Sequence, residues 1–405
     1  MLNRSQCSEL PYVAEGSELF DAVAHWPWSV FLDSGPAQRR RGRHDIIAAN
    51  PSTVLVTRGG LTEVRRGREC LMSQEDPLKL LARMLGPAVA SPDFLPLDNG
   101  ALGYFAYDLA QRLNNRESSP ADQNGFPEMA VGIYDWVVVI DHQEQRTWLA
   151  SHGRTPDIIS LWPELVELFS RPPRIKKRPG LRLQSGISTN MDVEAFASRF
   201  CRVKDYLRSG DCDWVNLVRR FSVAASGDPW TSYKELRLLS PTPLGAFLQL
   251  PHSAILCNSS ERIMQVRDKR VMLPAVDGVP AQFPDRELDE YLKAGLSALD
   301  VLRTCFPDHT MIGTPTTRAM EIIAELEPNR RGGYAGAIGY AAGNGDLDMN
   351  IATQTLVHFD RALRFWGGAP IVAGSSLEET FQHTTKSAYS VLNLLATNPG
   401  SRAHH

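Results

Sequence analysis

Apolar residues recur at helical spacing in four stretches of this chain and alternate, or run continuously, in many others. Phe196, Phe200, Val203 and Leu207 form one helical stripe, with Asp192 placed to cap its start and "SGD" to end it. A second stripe over 287–304 contains Tyr291, Leu292, Leu296, Leu299 and Leu302, which would share one face of a helix. A third, over 315–327, carries Ala319, Ile322, Ile323 and Leu326; Thr314 is its candidate N-cap, Pro315 suits the first helical position, and Pro328 ends it. A fourth helix is predicted over 376–397. "WSVFLDSG", "TVLVTRGG", "MAVGIYDWVVVIDHQ", "WVNLVRRFSVAA", "GAFLQL" and "SAILCN" are rich in β-branched and aromatic residues bounded by turn formers, which predicts strands. "GYAGAIGYAAGNGDLDMNIATQTLVHF" is strand-like throughout. No stretch repeats another, and strands do not alternate regularly with helices. The pattern therefore favours an α+β architecture over a doubly wound sheet.

The Pro-rich, basic run "RPPRIKKRPGLRLQ" cannot continue a helix or a central strand. It reads as a linker over 171–187 between a strand-rich lobe, 1–170, and a second region, 188–397. Its charge alone is no sign of nucleic-acid binding, because the chain of 405 residues carries a net charge of −3. The six cysteines show neither a CxxC pair nor metal-ligand spacing, so they read as reduced thiols. Neither a membrane span nor a signal pattern is visible, and a cytoplasmic protein without membrane contact is expected.

Chemistry first enters at "FPDHTMIGTPTTRAMEIIAELEP", where a loop delivers a helix. Free N–H groups at that helix start, with Gly313 allowing close approach, would suit an anion near Gly313–Thr316. An ordinary capped helix is the alternative. The glycines between 332 and 345 do not form a dinucleotide fingerprint, since no helix follows at the required place.

Taken in order, "HWPWSVFLDSG", "GALGYFAYDLAQRL", "LRSGDCDWVNLVRRF", "SSERI", "TRAMEIIAELEP", "GAIGYAAGNGDLDMNIATQTL" and "GGAPIV" resemble the chorismate-utilising enzymes over nearly the whole chain. Within them the resemblance is to the aminodeoxychorismate synthase component I group. It implies two packed β-sheets with outer helices. It also implies amination of chorismate to 4-amino-4-deoxychorismate on the route to 4-aminobenzoate and folate, Mg²⁺, and a glutamine amidotransferase subunit that supplies ammonia. Replacing a hydroxyl on a dicarboxylate ring requires cations on the carboxylates, acids on the metal and a nearby proton donor.

Carried over position by position, the resemblance places Glu261 at the acidic SPE position and Asp277 where the family has a lysine. Thr310 and Thr316 replace a serine and a lysine of the loop that keeps Gly313, Pro315 and Arg318. Gln354 replaces the arginine that would fork onto a substrate carboxylate. Gly368 remains from a run of three glycines, but Pro370 offers no N–H. His383 stands where the family has a metal-binding glutamate, and imidazole suits Mg²⁺ poorly. Between 278 and 305 the chain is several dozen residues shorter than the family pattern, and the shortened stretch omits another metal ligand. Asn216 and Asp348 also match. In the first lobe, Ser34, Arg43, Asp45 and Pro241 match a pocket that holds tryptophan in the family. These matches leave three readings: a divergent synthase; a non-catalytic homologue that serves as amidotransferase partner or as sensor of chorismate or tryptophan; or a decaying gene copy.

Overall fold

Two antiparallel sheets lie face to face, and most of the helices pack on their outer sides. The computed structural model describes residues 5–37, 42–113, 125–173, 176, 178–273 and 288–396. Among these, the larger sheet runs in the order Gln6–Leu10, Arg146–Ser151, Val137–Asp141, His44–Ala48, Ser29–Asp33, Leu244–Leu250, Ser253–Ser259, Thr355–Phe359, Ala362–Ile371, Trp214–Ser226 and Arg182–Leu183. The short strands Ser188–Thr189 and Gly313–Thr314 also pair onto Trp214–Ser226. The smaller sheet runs Leu288–Tyr291, Arg270–Leu273, Arg262–Arg267, Leu347–Ile351, Ala337–Ala342, Gly100–Phe105, Met129–Tyr134, Thr53–Arg58, Leu61–Arg66 and Glu69–Ser73.

Alternation along the strands explains the layering, because successive side chains point to opposite faces. Leu102, Tyr104, Ile338 and Tyr340 of the smaller sheet meet Val30, Ile46, Ala246 and Leu248 of the larger in a buried layer between them. On the outer face of the larger sheet, Phe31, Phe221, Phe247 and Phe365 bury against Phe20, Trp230 and Leu392 from helices. Outside the smaller sheet, Leu55, Phe105 and Met264 are covered by Leu81, Leu302 and Ile322.

The segments before and after 171–187 do not build separate sheets. Each supplies five strands to the smaller sheet, and Ser29–Asp33 pairs with Leu244–Leu250 across the middle of the larger one. Outward from that pair, and from the pair Gly100–Phe105 with Ala337–Ala342, the two halves place their strands in the same chain order. Three helices share this correspondence: Gly16–Phe20 with Pro229–Leu239, Pro77–Leu85 with Ala298–Cys305, and Asp157–Ser170 with Leu377–Ala396. The expectation of no repeat therefore fails for topology. Pairing order constrains alternation and length rather than residue identity, so a repeated topology need not leave repeated words.

Other elements follow the sequence closely. Val193–Ser209 is a helix whose Asp192 side chain accepts from Ala195 N–H at 2.8 Å, and Gly210 ends it in the left-handed region. The helix expected over 287–304 is instead an edge strand, Leu288–Tyr291, followed by a helix confined to Ala298–Cys305. Gly295 at φ +85° breaks the run, and Ser297 starts the helix with a capping box to Asp300. Leu299 and Leu302 are buried as expected, but Tyr291 is 75% exposed and Leu296 50%. Thr314 is not a cap either: it pairs with Trp214 in the sheet, and Pro315 takes the cap position. No helix among the described residues is long and apolar enough to cross a membrane.

Candidate functional site

The loop before Thr316–Leu326 lies along the start of Trp214–Ser226. Gly313 pairs with Val215, and Asn216 N–H donates to the Ile312 carbonyl at 2.8 Å. Gly313 is required there. Its φ is +142°, and a Cβ would stand 2.3 Å from the Trp214 oxygen. Asn216 Nδ2 donates to the Met311 carbonyl at 3.0 Å, whereas its buried Oδ1 has no hydrogen-bond partner among the described residues. A Cβ on Gly368 would lie 2.8 Å from that Oδ1 and 2.9 Å from the Tyr334 hydroxyl. The structure thus brings Asn216, Tyr334 and Gly368 together.

Glu261 faces the same region. It is exposed as a whole, yet its carboxyl is raised above the ordinary range by partial desolvation and by the nearby Asp308 carboxylate, and it acts in turn on Tyr334, which burial pushes up to about 12. Thr310 donates to Asp308 through both N–H and hydroxyl, so its side chain is spent holding the loop. A deeply buried cation beside this cluster, Arg331, is fully engaged. It pairs with Glu327 at 2.7 Å and donates to the Met311 and Asn216 carbonyls at 2.9 and 2.7 Å, with its guanidinium over the Tyr107 ring. Burial raises Glu327 and would lower Arg331, but the carboxylate beside it holds Arg331 above its ordinary value.

The other expected residues do not join the cluster. Arg318 faces outward, bonded to Glu321 at 2.9 Å and lying over the Tyr206 ring. Thr316 is half-buried at the first turn of its helix. Gln354 is exposed, and its carbonyl accepts from Asn258 N–H. Pro370 sits opposite Asn216 in the sheet register, where it supplies no N–H. Asp277 lies outside the described residues. His383 is exposed on Leu377–Ala396, and no three His, Cys, Asp or Glu side chains among the described residues converge as a metal set. The imidazole at that position suits Mg²⁺ poorly, since this cation prefers oxygen ligands.

Asp348 is not in the cluster but in the wall of a cavity of about 400 Å³ between the sheets. There Arg262 grips it through Nε at 2.7 Å and Nη2 at 3.2 Å, and Gln265 donates to it at 2.8 Å. Of the four residues expected to form a tryptophan-like pocket, only Arg43 lines this cavity. Ser34 and Asp45 are turned on each other, hydroxyl to carboxylate at 2.6 Å, and His142 occupies the other Asp45 oxygen at 2.9 Å. Pro241 lies outside the lining, where Pro243 stands instead.

Sequence reasoning missed Tyr334, Asp308 and the Glu327–Arg331 pair. Tyr334 lies in a stretch whose strand-like pattern and glycines give no sign of a site. Glu327 and Arg331 flank Pro328, which ends the helical pattern that would have linked them.

Comparison with known proteins adds to this geometry. The family model described as chorismate binding enzyme matches residues 29–296 and 291–393, two segments that meet at the shortened stretch. The chain is similar to aminodeoxychorismate synthase component 1 of Klebsiella aerogenes, 31% identical over 449 residues with 95% of this chain and 98% of that protein covered. That span exceeds the 405 residues present here, so part of the relative has no counterpart. The Escherichia coli protein of the same name is also 31% identical, over 93% of this chain and 95% of its own length. Among solved structures, anthranilate synthase component I from Streptococcus pneumoniae superposes with a TM-score of 0.76 at 22% identity, over 87% of this chain and 93% of its own. The menaquinone-specific isochorismate synthase of Escherichia coli gives 0.67 at 15% identity, over 97% and 95%.

Proposed function

This chain belongs to the chorismate binding enzymes, and on that premise we propose that it is a folded homologue of aminodeoxychorismate synthase component 1 whose C-terminal site no longer aminates chorismate. One observation carries the reading. Where the reaction needs cations for a dicarboxylate, the assembled cluster presents Glu261 beside Asp308, and its buried arginine is already closed on Glu327. A dianion placed there meets repulsion, with neither Gln354 nor Thr316 able to compensate by charge.

Decay of the gene fits less well. The shortened stretch is closed by a helix with its own capping box, and its Arg303 is bonded to Asp76 of the opposite half. The reading of a working synthase draws on 31% identity over nearly the full chain. The test incubates full-length protein with chorismate, ammonium and Mg²⁺ in excess and looks for aminodeoxychorismate by chromatography. No product above a no-protein control is expected; product that scales with protein overturns the proposal. The words "component 1" in the relatives' names imply a second component. A glutamine amidotransferase subunit is therefore the partner to try, and separate peaks for the mixed proteins at micromolar concentration would remove it.

A further inference from the structure

The rim of the smaller sheet opposite Leu288–Tyr291 is Glu69–Ser73, which pairs with Leu61–Arg66 and, among the described residues, with nothing on its other side. A row of apolar side chains leads out to it. Val131 stands opposite Leu55, Leu55 opposite Val64, and Val64 opposite Leu71. Val131, Leu55 and Val64 are buried, yet Leu71 is 67% exposed and its neighbour Met72 59%. The row runs off the sheet before it is covered. The backbone is open there too. The two-residue turn Gly67–Arg68 joins the paired strands, so their ladder bonds close on Arg66 with Glu69 and recur at Val64 with Leu71 and at Thr62 with Ser73. Cys70 and Met72 therefore aim their N–H and C=O groups outward.

The other described rims are guarded. In the larger sheet, Gln6–Leu10 carries Glu9, ion-paired with Arg146, and its Ser8 hydroxyl accepts from Trp162 of the helix Asp157–Ser170 at 3.1 Å. Arg182–Leu183, at the far end, is a strand of 2 residues. Both central residues of Leu288–Tyr291 are acidic, so two copies pairing there would set like charges opposite each other. Glu69–Ser73 has no such device. An antiparallel two-fold centred on Leu71 sets Leu71 against its own counterpart, Cys70 against Met72 and Glu69 against Ser73, with no like charges opposed. Beyond the strand it carries Arg68, which is exposed and has no ion pair among the described residues, toward the exposed Gln74 and Glu75 of the other copy.

We infer that Glu69–Ser73 is a self-pairing edge, where two copies of this chain join antiparallel about Leu71 into one continuous sheet. The row from Val131 to Leu71 then runs on through its symmetry mate, and each Leu71 is covered by the other. A strand of 5 residues on each side falls short of the roughly 20–30 residues a side of a stable interface, so the dimer forms reversibly with rising concentration. The inference does not depend on whether the C-terminal cluster keeps any chemistry.

Sedimentation velocity of the full chain, from low to high micromolar concentration, should show a monomer–dimer equilibrium. Leu71→Lys should weaken it by roughly tenfold or more, since two ammonium groups would then meet at the axis. Circular dichroism and the unfolding midpoint should be unchanged in that variant, because the side chain is exposed. A second variant reads the register. Residues opposed at a position without ladder bonds make the closest approach in an antiparallel pair, within reach of a disulfide. Leu71→Cys in a Cys70→Ser background should therefore cross-link two chains on mild oxidation, and Cys70→Ser alone should not. A chain that stays monomeric at high micromolar concentration overturns the inference. So does a dimer that Leu71→Lys leaves unchanged, or one that Leu71→Cys fails to cross-link.

Discussion

Replacing Arg331 by Met should cost the fold about 3–5 kcal/mol, the usual penalty for removing one partner of a buried pair. Arg331 is 1% exposed and Glu327 4%, so solvent cannot take over the orphaned charge. The substitution also frees two carbonyls, of Met311 and Asn216, each worth roughly 1 kcal/mol. Glu327 would still accept from Val218 N–H at 3.0 Å, but it would sit uncompensated in an apolar surround and bind a proton more readily. That raises its folded-state pKa, already above the unfolded value by burial, further still. The added penalty is then absent below the raised value Glu327 already has beside Arg331, grows as pH rises through it, and is complete above the still higher value of the variant. Removing both partners, Arg331→Met with Glu327→Leu, should recover most of the loss, because an apolar pair leaves nothing buried and charged. Urea unfolding followed by fluorescence and circular dichroism at pH 5 and pH 8 measures all three proteins. A single variant that loses under about 1 kcal/mol, or a double variant no better than the single, refutes the argument that this pair is a closed charge unit.

Asp108, raised to about 7 by burial while it accepts from Gly332 N–H at 2.7 Å, should drain stability as pH rises from about 4 to 7, since the unfolded carboxyl ionises first. Asp108→Asn should flatten the unfolding midpoint over that window, and parallel profiles for the two proteins would reject the assignment. Gly313→Ala should cost about 2–3 kcal/mol in chemical unfolding, because a Cβ meets the Trp214 oxygen at 2.3 Å at a φ that alanine avoids; unchanged stability would show that the loop shifts freely.

Much of the scaffold could be read from the sequence where local chemistry and tertiary packing agree. The helix Val193–Ser209 has its cap, its stripe and its glycine exit in the sequence, and Phe196, Phe200 and Val203 are buried accordingly. The stripe over 287–304 was misleading because Tyr291 and Leu296 keep helical spacing while Gly295 prevents the backbone from following it. Thr314 looked like a cap because Ser and Thr favour that place, yet pairing with Trp214 claims it first. The site was legible only as a set of positions. That Asn216, Gly368 and Tyr334 meet follows from register across strands more than a hundred residues apart, and no local pattern carries that register. Ser34 and Asp45 were placed in the right neighbourhood, but their bond to each other depends on how closely two adjacent strands approach.

The sheet order bears on which parts of such a chain evolution can shorten. A strand in the middle of either sheet is hydrogen-bonded on both sides, so losing it would separate the two halves that interleave there. Leu288–Tyr291 is different, since among the described residues it pairs only with Arg270–Leu273 and ends the sheet. The stretch that is short relative to the family returns to the chain through this rim strand and a short capped helix. An excision at that border removes pairing from one neighbour and leaves every central ladder intact. The edge of the sheet is therefore the place where this architecture can give up several dozen residues, with whatever chemistry they carried, and still close.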